Sequence, residues 1–225
     1  AIRFLSAALV MIAIRPSALA GIGRLGARHG ALLGLALGIG YIAQTFGLQH
    51  TSASVSGFIT GMFVVFTPLI AGLVLRQHVG ATAWIGVAVA MAGLAVISLK
   101  GFAIGPGELL TLVCAICFAV HIVGLGQWAG QHGAYPLAVA QLLAVSAICL
   151  VIGAADGLTM PPDAGVWGAV LLTAVLATAA AFVIQTWAQS IMSPTRAAVI
   201  MTMEPVFAGL FGVLLKPCST EAWRA

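Results

Sequence analysis

Two groups of side chains in this 225-residue chain have types and spacings that could do chemistry. The first is Glu204, followed at once by Pro205, within the apolar stretch Ser193 to Leu215. A carboxylate in a bilayer-length helix costs about 2.5–3.5 kcal/mol on insertion, so it normally faces a bundle interior or a wet cavity. The proline removes a backbone donor and clashes with the preceding turn, which kinks or breaks the helix beside the acid. Pro68 is a second helix-kink position, within the apolar stretch Ser52 to Leu75. An acid at a kink in a membrane helix points to a transport pathway, with Glu204 in proton coupling or in holding a break open. The plainer reading makes it a packing partner or a helix break near the surface. The second group is Cys114, Cys117 and His121, whose spacings of three and four put them on one helical face. Zinc wants about four well-placed donors, and no other Cys/His cluster accompanies these, so no metal is expected. His121 reads instead as a histidine that bonds solute or titrates near neutral pH.

The elements that must position these residues are membrane helices. The chain is 62% hydrophobic and only 6% charged. Soluble domains carry about 25% charged residues, so most of this surface must meet lipid or other helices. The nine basic residues are scattered, with no interleaved aromatics, so nucleic acid is not an expected partner. Cys114, Cys117 and Cys149 sit in apolar runs and suit a membrane core better than a disulfide framework. There is no paired-carboxylate set, nucleophile motif or phosphate-binding Gly-Lys loop, so the chain is not read as an enzyme and no cofactor is implied.

Measured against a needed length of about 20 residues, the apolar runs predict about eight spanning helices. The first, Ile2 to Ile14, is too short to span alone and reads as the remainder of a helix cut at its front. A loop from Arg15 to His29 follows, then helices Ala31 to Leu48, Ser52 to Leu75 and Ala83 to Leu99. The Gly/Pro linker Lys100 to Gly107 divides the chain into residues 1–99 and 100–225. Beyond it come Glu108 to Leu125, Pro136 to Gly153, Ala164 to Ile191 and Pro194 to Leu215. Glu108 opens its helix, where the helix dipole favours negative charge. Gly30, Gly34 and Gly38 form a stripe that lets a neighbouring helix approach closely, and such stripes also permit a homodimer. With alternating helices, Arg15, Arg24, Arg28, Arg76 and Arg196 share one side, which the positive-inside rule makes cytoplasmic. Lys100 and Lys216 oppose it from the other side, with Asp156 and Asp163.

The chain also matches itself at an offset of 141 residues. Gln44-Thr45 falls on Gln185-Thr186, Ser52 on Ser193, Met62 on Met203 and Val65-Phe66 on Val206-Phe207. Tyr41 meets Phe182, Phe46 meets Trp187, and Phe63 meets Glu204. Five predicted spans separate each helix from its counterpart, and an odd number requires the two copies to be inverted across the membrane. Inverted repeats build many secondary transporters, with the solute site near the midplane where the halves meet. A purely structural duplication is the alternative.

These segments resemble the EamA family of the drug/metabolite transporter superfamily. The resemblance is carried by AIRFLSAALV, YIAQTFGLQHTSASVSGFITGMFVVFTPLIAGLVL, GELLTLVCAICFAVHIV and FVIQTWAQSIMSPTRAAVIMTMEPVFAGLFGVLL. It implies an all-α integral membrane protein with ten helices as two inverted five-helix repeats, of which this chain carries about eight. On that plan helix one and most of helix ten are missing, and the ending KPCSTEAWRA departs from the family pattern, so the chain reads as a fragment or a truncated product. The family's cavity-lining helices point to Tyr41, Gln44, Gln185 and Trp187 as solute contacts beside His121 and Glu204. Glutamines equally bridge membrane helices, and Phe182 and Trp187 equally serve packing. The implied function is a secondary transporter, an exporter, moving a small metabolite or drug-like solute by alternating access across the cell membrane, the bacterial inner membrane. A non-transporting membrane scaffold and a membrane-embedded enzyme using His121 and Glu204 are the alternatives from other classes.

Overall fold

The computed structural model describes residues 1–76, 78–98, 105–155, 157, 163–204, 206, 207 and 210. Among them there is no strand. The helices are α1 (Ile2–Ile14), α2 (Gly23–Gly47), α3 (Ala53–Gly61), α4 (Phe63–Leu75), α5 (Ala81–Ser98), α6 (Pro106–His132), α7 (Ala134–Ala155), α8 (Ala164–Ala174), α9 (Ala181–Ile191) and α10 (Pro194–Met201). A π-helical segment, Val175–Ala180, joins α8 to α9 into one long helix. Pro205, Lys100, Asp156, Lys216, Cys218 and the segment after residue 210 lie outside the described residues.

Local sequence explains where these helices begin and end. Ser52, Asp163 and Ser193 each cap a helix by accepting the N–H three residues on, from Val55, Val166 and Arg196. Pro106 opens α6, where its missing N–H costs nothing, and the Glu108 carboxylate accepts the Gly105 N–H at 2.8 Å. Arg76 ends α4 with a left-handed φ of 51°, and Gly133 ends α6 at φ 75°. Two helices run well beyond the bounds read from sequence. The helix predicted from Ala31 begins at Gly23, so Arg24, Arg28 and His29 stand on its first turns rather than in a loop. Charge marked them as loop, but Arg, Leu and Ala are good helix formers. Likewise α6 runs past Leu125 to His132 through Gln127 and Gln131, which are polar yet helix-compatible.

Among the described residues, five helices are long and apolar enough to cross a membrane: Gly23–Gly47, Ala53–Leu75, Pro106–His132, Ala134–Ala155 and Ala164–Ile191. The other three of the eight predicted spans are shorter among the described residues, Ile2–Ile14 being too short to cross alone. Side chains such as Leu73 and Val96, 81% and 87% exposed, suit a surface bathed in lipid.

Close packing follows the small residues. A Cβ on Gly30 would stand 2.5 Å from the Ala140 methyl, and one on Gly34 would overlap Ala144 and the Gln141 carbonyl. The predicted glycine stripe is therefore the seam between α2 and α7. Around the helix, Gly40 and Gly47 meet Phe118 and Thr111 of α6 with equally little room. Met11, Leu37, Leu142 and Phe182 share one core cluster, and Val64, Val87 and Ile122 a second.

The self-match extends to backbone detail. Offset by 141 residues, α2 begins where α8 begins, and the two serine caps coincide. Thr45 Oγ1 donates to the Tyr41 carbonyl at 2.7 Å, as Thr186 Oγ1 does to Phe182 at 2.6 Å. The helix interruption at Met62 maps onto the turn at Thr202 and Met203. The two equivalent turns nevertheless sit at opposite ends of α6. The first packs Gly47 and His50 on Gly107, and the second packs Pro194 on Gly126. At about 1.5 Å of rise per residue, those contacts lie roughly 28 Å apart.

Candidate functional site

Between α2, α3/α4, α6, α9 and α10 lies a cavity of about 850 Å³. That volume suits a small organic solute. Several helices around it are interrupted: α3 and α4 meet at a single-residue break at Met62, a turn at Thr202 and Met203 follows α10, and the π-helical Val175–Ala180 precedes α9. Thr178 Oγ1 donates to the Thr173 carbonyl five residues back at 3.0 Å, a partner that π geometry brings within reach. Pro68 does not make the break at Met62. It lies buried inside α4, which continues through it to Leu75 while leaving the Val64 carbonyl without its usual donor.

Five of the residues singled out from sequence line the cavity together: Tyr41, Gln44, His121, Gln185 and Glu204. Tyr41 is held by aromatic neighbours, 4.9 Å from the Phe4 ring and 5.2 Å, edge-on, from Phe118. The Arg3 guanidinium lies 4.8 Å above Phe4 and 5.9 Å from the Tyr41 ring, which places a cation against this aromatic group. Gln44 donates from Nε2 to Thr60 Oγ1 at 3.1 Å. Glu204 follows directly on the turn that ends α10 and is exposed on the cavity wall.

Trp187 is not among the lining residues. It is 58% exposed on the outer face of α9. The cause is helical phase: Gln185 and Gln189 stand one turn apart on the inner face, and Trp187 lies two residues from each, on the far side. Its repeat counterpart Phe46 is also turned outward, at 37% exposed.

His121 is almost completely buried, and it anchors a hydrogen-bond chain through three helices. Its Nε2 lies 2.7 Å from Gln141 Oε1, Gln141 Nε2 donates to Thr186 Oγ1 at 3.1 Å, and Thr186 donates to the Phe182 carbonyl. The direction of this chain is fixed from its far end. Thr186 spends its only proton on Phe182, so it must accept from the Gln141 amide, which turns the Gln141 oxygen to His121. His121 therefore carries its proton on Nε2. Cys114 and Cys117 occupy the same helix, and among the described residues no three His, Cys, Asp or Glu side chains come together as a metal site.

The cavity also holds a residue that the sequence reading passed over. Gln189 is 1% exposed, lines the cavity, and finds no partner for either its amide nitrogen or its oxygen among the described residues. A buried polar group left unpaired costs about 1–3 kcal/mol. Two amides spaced i, i+4 in an otherwise apolar helix were the available signal. Gln141 carried a similar one, a lone amide in the run Pro136 to Gly153.

Comparison with known proteins gives three further findings. The model of the EamA-like transporter family matches residues 1–99 and 105–218. An uncharacterized transporter of Archaeoglobus fulgidus is 33% identical over 187 residues, which is 83% of this chain and 60% of the relative. The chain thus spans about 60% of that relative's length. A solved crystal structure with 16% identity shares the fold at a TM-score of 0.69, covering 97% of this chain and 89% of the other.

Proposed function

Because this chain belongs to the EamA-like transporter family, we propose that it serves a secondary transporter that exports a small metabolite or drug-like solute across the cell membrane by alternating access. The observation that carries this reading is the cavity. Its walls come from both sequence halves, 1–99 and 100–225, and combine aromatic rings with a few polar side chains, the usual make-up of a small-solute site. The family membership and the transporter-named relative favour transport over catalysis.

The two halves act in this proposal as inverted repeats of a ten-helix plan. The family match over residues 1–99 and 105–218 supports it, as does the placing of equivalent turns at opposite ends of α6. Repeats inverted about a shared cavity can rock against each other and open it to one side at a time. Tyr41, Gln44, His121 and Gln185 contact the solute, and Glu204 couples movement to protons. The Thr202–Met203 turn separates Glu204 from α10, so the acid stands beside a helix interruption rather than within a continuous helix.

The test is solute flux in proteoliposomes of the full-length protein under an imposed pH gradient. Flux that collapses with the gradient, and that is lost in Glu204→Gln, supports the reading. Proton-driven flux unchanged in that variant removes Glu204 from the mechanism. Chemical conversion without flux would make the protein an enzyme instead.

A further inference from the structure

The polar groups around the cavity divide into those already partnered, those without a side-chain partner but partly exposed (Tyr41, Gln185 and Glu204), and one that is both buried and unpartnered among the described residues. Gln44 bonds Thr60, His121 bonds Gln141, and Thr202 Oγ1 bonds the Val199 carbonyl at 2.6 Å. Gln189 alone on this wall is buried with both halves of its amide unused among the described residues. Its repeat counterpart is Leu48, so the wall contributed by the first half offers no matching group.

On the reading that this cavity carries a solute, we propose that Gln189 is its specificity-determining residue and selects solutes bearing a neutral amide-like edge on a flat apolar body. A primary carboxamide holds one donor and one acceptor side by side in a plane. The group that satisfies both at once presents the complementary pair in a plane: a carboxamide or a lactam. An ionised carboxylate satisfies the Gln189 N–H but sets its second oxygen against the Gln189 carbonyl. An ammonium satisfies the carbonyl and faces the N–H with another donor. Either charge also costs far more to strip of water on entry than a neutral edge does. The rest of the solute meets Tyr41, Phe63, Phe118 and Phe182, rings that favour a flat apolar body. Sites built to hydrogen-bond a polar edge reject analogues lacking it far more strongly than apolar pockets reject a missing methylene.

Full-length protein in lipid nanodiscs, titrated with benzamide, acetophenone and benzoate by calorimetry at neutral pH, tests this. Benzamide should bind at least about tenfold more tightly than either isostere. Gln189→Leu should erase that preference. Gln189→Glu, which presents two acceptors, should shift it to benzamidine, whose cation presents two donors. Equal binding of benzamide and acetophenone overturns the proposal, as does binding of none of the probes or a preference that survives Gln189→Leu. Should Gln189→Leu not fold, the wild-type ratio and the Gln189→Glu switch decide alone. Proteoliposome flux without amide preference sinks only this inference. Amide-selective binding with no flux of any solute sinks the transport reading and leaves Gln189 as a binding determinant.

Discussion

The two walls of the cavity come from equivalent stretches of sequence and differ in what they offer a solute. In the first, Gln44 is partnered by Thr60, Phe63 follows the helix break, and Leu48 stands one turn beyond Gln44. In the second, the same positions hold Gln185, Met201, Glu204 and Gln189. Gln185 has thus lost the hydroxyl that Gln44 bonds, an acid replaces a phenylalanine, and a buried amide stands where leucine was. The exchange is not entirely one-way: Ser56, buried with no partner for its hydroxyl among the described residues, faces Ala197 at the equivalent position. What both walls keep is backbone chemistry: a serine cap, a threonine bonded back to the preceding turn, and a helix interruption at the same place. What the two stretches share is scaffold chemistry, whereas Glu204 and the buried Gln189 have no counterpart of their kind at Phe63 and Leu48.

That asymmetry can be broken at several points, beginning with the largest effect. Glu204→Gln should remove the coupling of flux to the proton gradient in the full-length protein, while Phe63→Leu at the equivalent position should weaken solute binding yet leave the remaining flux proton-driven; loss of coupling in both would make the walls functionally alike. The scaffold is asymmetric too. Gly34→Val should cost about 3 kcal/mol or more, because a Cβ there overlaps Ala144 and the Gln141 carbonyl of α7. Its counterpart Val175 is 38% exposed, and Val175→Gly should cost only about 1 kcal/mol. Thermal unfolding in detergent compares the pair.

Gln141→Leu breaks the chain from His121 to Thr186 and leaves buried groups unpaired, for a loss of about 1–3 kcal/mol. Gln44→Leu removes one half-buried bond to Thr60 and should cost about 1 kcal/mol. A larger loss from the second would show that the first wall, not the second, holds the structural network. Smallest of all, Trp187→Leu and Phe46→Leu should each change stability by no more than about 0.5 kcal/mol and leave flux intact, since both rings face outward.

Much of this molecule was legible in the sequence because membrane helices are long and their punctuation is local. Ile2–Ile14 was read to the residue, and the joined helix Ala164–Ile191 matched its predicted bounds. Ser52 and Ser193 stood out as helix openings because capping is decided within four residues of chain. The glycine stripe named a close contact, though not its partner α7, since small residues reveal proximity and not identity. What resisted reading was facing. Trp187 looked like a solute contact because an aromatic beside Gln-Thr suits one, yet a two-residue step on a helix points it away. Gln189 was passed over for the opposite reason: its spacing from Gln185 marked it, but burial without a partner is a property of packing, and no single position in a sequence displays it.

Inverted repeats require equivalent turns to open to opposite sides of one membrane. Single cysteines placed at Gln49, in the turn before α3, and at its counterpart Ser190, at the end of α9 before the turn into α10, test it once Cys114, Cys117, Cys149 and Cys218 are replaced by serine. Intact cells and inverted vesicles are then treated with a membrane-impermeant maleimide. The inverted arrangement predicts that each cysteine is labelled from one side only and that the sides differ. Labelling of both from the same side would contradict it, and with it the alternating-access account.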